Sequence, residues 1–184
     1  MNAPLAQDHY TPEDLLRWEP GYELLDGRLV EKPMGTKAGV VESNIDGRVN
    51  PFVRQHALGV VIIGDGGGYE LWPNRPRVRK ADLSFVARGR FPDDVVPDGW
   101  ARIPPDLAVE VASPNDNAED LMAKAMEWLS VGTRLVWVVY PKSRTVLVLR
   151  AGGIAAWVGA GGQLSGEDVL PGFTCPIDDV FAGV

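Results

Sequence analysis

One stretch constrains the fold more than any other: residues 106–140 read as strand, helix, strand. In "RLVWVVYP" residues 135–140 are an almost unbroken apolar run, the pattern of a strand covered on both faces. Ahead of it, "SPNDNAEDLMAKAMEWLSVGT" places Leu121, Met122, Ala125, Trp128 and Leu129 on one helical stripe. Asn115 or Asp116 stands where a helix cap is wanted, and Gly132 stands near its end. Before the helix, "PDLAVEV" puts Leu107, Val109 and Val111 on one side of a strand. Two strands joined through a helix form a parallel pair with a right-handed crossover. A sheet with at least one parallel pair and a helix packed on it is therefore required.

The flanking sequence supplies the rest of an α+β chain. "YTPEDLLRWE" predicts a short helix: Thr11 caps it, Pro12 suits the first helical position, and Asp14 has capping-box spacing. "GYELLDGRLVEKP" holds Asp26-Gly27 between apolar-rich runs, a hairpin signal. In residues 38–57, Val41, Ile45, Val49 and Phe52 recur at helical spacing, while Gly47 and Pro51 weaken that helix. "GVVIIGDGGGYELW" reads as strand, glycine-rich turn, strand; "VRKADLSFV" reads as a further strand with Asp82, Ser84 and Val86 on one side. Residues 87–104 read as a loop. "RTVLVLR" and "GIAAWVG" continue the sheet as a meander, and "EDVLPGFTCPIDDVF" reads as a packed turn and short helix. No repeat or linker divides the chain, so one domain over residues 1–184 is expected.

Composition closes off other classes. With 184 residues, 45% hydrophobic and 23% charged, the chain is ordinary for a globular protein. No apolar run approaches the roughly 18 residues of a membrane span. "MNAPLAQDHY" lacks the basic start and apolar core of a signal peptide. Cys175 alone makes no internal disulfide, and His9 and His56 match no zinc spacing. A cytoplasmic setting is expected. The net charge of −7 argues against a basic nucleic-acid coat protein. It is compatible with a nuclease whose acidic ligands are balanced by bound cations.

The chemistry concentrates on Glu110, in the middle of "PDLAVEVASPND". A carboxylate on a buried strand is costly unless something pairs with it. Glu110 shares its side of the strand with Ala108 and Ala112, small neighbours that leave a hollow. Asp82 shares its side with Ser84 on another strand. If those strands adjoin, the two carboxylates meet and repel. A divalent cation removes the conflict, and Mg2+ needs only one or two protein carboxylates. On the helix, at about 100° per residue, Lys124 is the polar residue nearest the edge of the apolar stripe. Its stem can follow the core edge and its amine can reach the end of the sheet. Such a set suits phosphodiester hydrolysis, with the cation on a phosphate oxygen and the lysine orienting water or stabilising charge.

In order and spacing, "YELLDGRLVE", "VRKADLSFV", "PDLAVEVASPND", "DLMAKAMEWLSVGTRLVWVVYP" and "EDVLPGF" resemble the Uma2 family of endonucleases. That family is similar to the PD-(D/E)xK nuclease superfamily, and the resemblance runs from about Tyr10 to Phe181. It implies a restriction-endonuclease-like fold, with a mixed central sheet flanked by helices. It implies metal ligands at Asp82 and Glu110, a catalytic lysine at Lys124, and Glu23 as a further acidic site residue. The implied activity is Mg2+- or Mn2+-dependent hydrolysis of DNA. Cutting both strands of a duplex needs two sites, so a homodimer is expected. The chain departs from the pattern in places. Ala81 stands where the superfamily has Pro, and Ala112 stands where it has Lys, leaving room for an amine from Lys124. "GTKAGVVES" supplies no His after the first hairpin, and Trp128 takes the place of a helix Tyr.

Each of these residues has a plainer reading. Glu110 fits a structural acid paired with Arg or Lys; Asp82 fits the exposed end of a strand; Glu23 fits a solvated hairpin position. Lys124 fits a solvated helix residue paired with Glu127 or Asp120. "GDGGG" lacks the Gly-Lys-Ser/Thr of a phosphate loop and reads as a turn. The basic group "NRPRVRK" suits either phosphate contact or a solvated strand edge. The alternative function is a nuclease-fold protein with a degraded site, acting as a DNA- or protein-binding module. A hydrolase acting on another substrate would share the metal site.

Overall fold

The computed structural model describes residues 9–18, 20–32, 35–114 and 116–184. The chain opens with α1 (Pro12–Leu16), where Thr11 and Asp14 form the expected capping box. β1 (Tyr22–Leu25) and β2 (Arg28–Glu31) follow as an antiparallel hairpin. Asp26 and Gly27 both take positive φ, 50° and 84°, as a tight hairpin turn demands. α2 (Thr36–Gln55) then runs straight through Gly47 and Pro51. Its buried Ala38, Val41, Ile45, Val49 and Val53 anchor it to the core. That anchoring outweighs the local weakness, because tertiary packing supplies most helical stability.

Six strands make the main sheet: β3 (Gly59–Ile63), β4 (Leu83–Ala87), β5 (Leu107–Val111), β6 (Leu135–Tyr140), β7 (Thr145–Arg150) and β8 (Ala155–Val158). They lie in the order β3-β4-β5-β6-β7-β8. Only β5 and β6 are parallel, joined through α3 (Ala118–Ser130); the other pairs are antiparallel. The mixed α+β sheet expected from the sequence is the one found. Among the described residues, no helix is long and apolar enough to cross a membrane.

The sheet is covered on both faces, and strand alternation decides which side chain goes where. Leu83, Phe85, Val109, Val111, Trp137 and Val148 pack with Ile45 and Val49 of α2 and with Phe173 of the tail. The alternate residues Val86, Ala108, Val136 and Val138 pack under Ala125 and Trp128 of α3. Each large apolar side chain so buried contributes roughly 1.5–3 kcal/mol, which holds α3 on that face. Glu110 alternates with Val109 and Val111, so it points to the α3 side.

Several local expectations need correction. "YELW" makes no strand: Tyr69 forms only isolated bridges, to Arg79 and Ala101. In "VRKADLSFV" the regular ladder begins at Leu83, so Asp82 lies just before the strand. The cap of α3 is Asn117, whose side chain accepts from the Glu119 N–H. Asp116 instead accepts from the Ser113 N–H, and Asn115 lies outside the described residues. The tail adds a small antiparallel pair, β9 (Gln163–Ser165) and β10 (Thr174–Pro176), before the short helix α4 (Ile177–Val180).

Candidate active site

The register of β4 on β5 sets the site. Leu83 pairs with Val109 and Ser84 with Ala108. One step further, the antiparallel run carries Asp82 toward Glu110. The Asp82 N–H donates to the Val109 carbonyl at 3.0 Å, and Asp82 Oδ2 accepts the Val111 N–H at 2.5 Å. Asp82 is thus gripped by the neighbouring strand and is 7% exposed, so the reading of a loose strand end does not hold.

Glu110 is met from the helix above it. Its Oε1 accepts the Trp128 indole N–H at 2.7 Å, and its Oε2 lies 3.0 Å from Lys124 Nζ. Lys124 also lies 3.0 Å from Glu23 Oε1 and donates to the Lys80 carbonyl at 2.8 Å. Its three N–H donors thus have three acceptors. Lys124 is buried and pairs with neither Glu127 nor Asp120, the partners a solvated helix lysine would take. Glu23 arrives from β1, because alternation sends Leu24 into the small cluster with Tyr10, Leu15 and Val78. The Lys80 N–H and the Arg79 guanidinium hold Glu23 at 2.7 and 2.9 Å.

Of the basic group before Asp82, Arg75 is exposed, while Arg77, Arg79 and Lys80 turn inward. Arg79 and Arg77 bond Glu127 of α3 at 2.8 and 2.7 Å, and Arg77 also bonds Asp26 of the hairpin turn at 2.7 Å. These arginines stitch the hairpin to the helix; they are not a free phosphate-binding edge. Lys80 sits over the Trp100 ring at 5.6 Å. The glycine-rich stretch forms a short turn at Gly64–Gly66, as expected.

Burial and charge pull the acids apart. Burial works to raise the Glu23 carboxyl, but Lys124, Arg79, Lys32 and the Lys80 N–H bring it down to about 2. Burial raises Glu110 to about 7, helped by the nearby Asp82 and Glu23 charges and opposed by Lys124 and Lys32. Burial disfavours the Lys124 ammonium, yet Glu110, Glu23 and Asp82 together push its pKa above the ordinary lysine value. Glu23 therefore carries a stability linkage with a definite sign. Its folded pKa lies below the unfolded value of 4.5. Its contribution is present above pH 4.5 and is lost as pH falls toward 2. The full difference is of order 3 kcal/mol. Melting curves taken between about pH 5 and pH 2 should show Glu23→Gln losing that part of the wild-type slope.

Sequence reasoning singled out Asp82, Glu110, Lys124 and Glu23, and the structure brings all four together. It missed Lys32, directly after β2, whose ammonium lies 2.8 Å from Asp82 Oδ1. No periodicity marks a lysine at a strand end. It also read Trp128 as core and aromatic filler, without its hydrogen bond to Glu110.

The cluster floors a cleft of about 750 Å³, whose lining carries nine acidic and four basic side chains. This surplus of carboxylates calls for cations. Among the described residues, no group of three or more His, Cys, Asp and Glu is arranged to hold a metal ion. Asp82 and Glu110 are the two carboxylates that could hold such an ion, and two suffice for Mg2+, which keeps several waters. The Lys32 ammonium already supplies one positive charge against Asp82. Oxygen donors around a cation position suit a hard divalent ion.

A mixed sheet with this acidic and lysine cluster at one end defines an α+β protein of nuclease-like fold. The same fold is found in a crystal structure from Anabaena variabilis, described as a putative nuclease belonging to DUF820. The two are 19% identical with a TM-score of 0.80, over 94% of this chain and 97% of that one. The chain belongs to the Uma2 family, described as "Putative restriction endonuclease", whose model matches residues 12–178. Among curated proteins, none matches it.

Proposed function

We propose that this protein is a divalent-metal-dependent endonuclease that hydrolyses DNA phosphodiester bonds, with Mg2+ or Mn2+ held by Asp82 and Glu110. One observation carries the reading. Asp82, just before β4, and Glu110, on the adjoining β5, meet at the floor of an open, acid-rich cleft, with a buried ammonium 3.0 Å from Glu110. Membership of a family described as restriction endonucleases supports the substrate class.

When bound, the ion supplies polarisation of a phosphate oxygen and acidification of a water. The chain's own groups supply the rest. Lys124 stays protonated, since its neighbours favour the charged form. It is thus an electrostatic group and not a general base. By exchanging one of its acceptors, its ammonium donates to a phosphate oxygen or to the attacking water. Glu23 touches Lys124 and acts as a positioning residue, itself fixed by Arg79 and the Lys80 N–H. The Trp128 indole holds the Glu110 rotamer. Cleavage of both strands requires two such clefts, so the working unit is a homodimer, and the setting is cytoplasmic.

The test is nicking of supercoiled plasmid DNA with Mn2+, Mg2+ or EDTA. Wild type is expected to nick only with metal, and Glu110→Ala is expected to be inactive. Cleavage in EDTA, or equal cleavage by Glu110→Ala, sinks the proposal. An inactive wild type favours the binding-module reading, in which internal cations hold the acids permanently.

A further inference from the structure

We propose that Lys32 is an internal cation that occupies the carboxylate cluster until a divalent ion displaces it. The inference rests on the metal-site reading above and assigns a role to a residue outside the set proposed for it.

Lys32 Nζ lies 2.8 Å from Asp82 Oδ1, one of the two proposed metal ligands. Its charge also acts on Glu110 and Glu23, so it faces the whole acidic group. A monovalent and a divalent cation cannot share these carboxylates without repelling each other. One of them has to leave.

The two lysines of the cluster are held very differently. Lys124 has an acceptor for each of its donors and sits on a packed helix. Lys32 Nζ is buried, yet it makes no well-aligned hydrogen bond among the described residues. A buried ammonium held by charge alone is under-compensated. Its backbone is tied by the Lys32 N–H to the Gly21 carbonyl at 2.7 Å. The four-carbon stem beyond that point is flexible, and the side chain lines the open cleft. The ammonium can therefore swing into the cleft without disturbing a strand. There it faces the space an incoming phosphate takes, adding a positive charge to an acid-rich wall.

With Lys124 and Arg79 already paired to Glu110 and Glu23, Lys32 supplies the cation against Asp82. Lys32 neutralises the cluster while no ion is bound. It also sets a threshold, since an ion must win the carboxylates against a tethered competitor.

The experiment uses Mn2+ alone as the probe, with binding read by calorimetry and by melting temperature. Wild type is compared with Lys32→Met, with Lys32→Gln as a variant that keeps polarity, and with Glu110→Ala. In EDTA both Lys32 variants are expected to melt below wild type, because a neutralising charge is gone. Both are expected to bind Mn2+ about tenfold more tightly or better, as expected when a like charge facing the ion is removed. Their melting temperatures should rise more on adding Mn2+ than that of wild type. If wild type binds Mn2+ and the Lys32 variants bind with the same or lower affinity, Lys32 is not a competitor, and the metal site itself stands. If neither wild type nor the variants bind Mn2+, the metal-site reading falls and takes this inference with it.

Discussion

Lys124→Met is expected to lower the melting temperature by about 10 °C and to reduce metal-dependent cleavage by about a hundredfold or more. Two separate arguments give those sizes. The ammonium is the shared partner of Glu23 and Glu110, both within 3.0 Å and both nearly inaccessible. Removing one partner of a buried pair costs about 3–5 kcal/mol. For a chain of this size, each kcal/mol moves the melting temperature by about 2–4 °C. The loss is softened at Glu110, which can take up a proton because its pKa is already raised to about 7. It is not softened at Glu23, which Arg79 and the Lys80 N–H keep ionised. The catalytic figure is that of removing one preorganised donor to a developing negative charge. Calorimetry and plasmid nicking with Mn2+ check the two parts independently. Cleavage near the wild-type rate in a folded Lys124→Met protein removes the lysine from the mechanism.

Metal affinity is expected to fall about tenfold per pH unit below pH 7. The cause is Glu110, whose carboxyl is pushed up to about 7 by burial, with Asp82 and Glu23 adding to the rise against Lys124 and Lys32. Protons and the ion compete for the same oxygens. Without metal, the same shift has the opposite consequence for folding. The folded pKa lies above the unfolded value of 4.5, so the contribution of Glu110 is full below pH 4.5 and is lost as pH rises through about 7. Metal-free protein should therefore lose melting temperature from about pH 5 to pH 8, while protein saturated with Mn2+ should not. Glu110→Gln should flatten the metal-free profile and abolish the Mn2+ response. An affinity for Mn2+ that stays constant between about pH 5.5 and pH 7.5 excludes Glu110 as a ligand.

The sequence made the central unit legible because its periodicities do not overlap. Leu107, Val109 and Val111 alternate, the α3 stripe repeats near 3.6, and residues 135–140 do not vary at all. A charge that breaks such a pattern, as Glu110 does, is visible at once. Lys124 was visible for a related reason, lying at the edge of a well-defined stripe. Lys32 was not, since a lysine closing an exposed strand looks solvated until the fold brings Asp82 beside it. The cap of α3 was misplaced because Asn115, Asp116 and Asn117 are all capping residue types in a row. Tyr69 to Trp72 looked like a strand by composition, but residues that find only isolated bridges cannot build a ladder. β9 and β10, three residues each, are shorter than any alternation can reveal.

The hairpin β1–β2 stands outside the six-stranded sheet, although it delivers both Glu23 and Lys32. It is tied to the segment before Asp82 by backbone hydrogen bonds between Leu24 and Val78 and from Gly27 to Pro76, by the buried Leu24, and by ion pairs of Arg77 with Asp26 and Arg79 with Glu23. A two-stranded element has little independent stability, and partly exposed ion pairs weaken as salt rises. The cluster is therefore assembled across a seam. Asp82 and Glu110 are placed by β4 and β5 of the main sheet, while Lys32, which lies against Asp82, is carried by the separate hairpin. A change in how the hairpin docks therefore alters the charge balance around Asp82 without touching the pairing of the sheet itself.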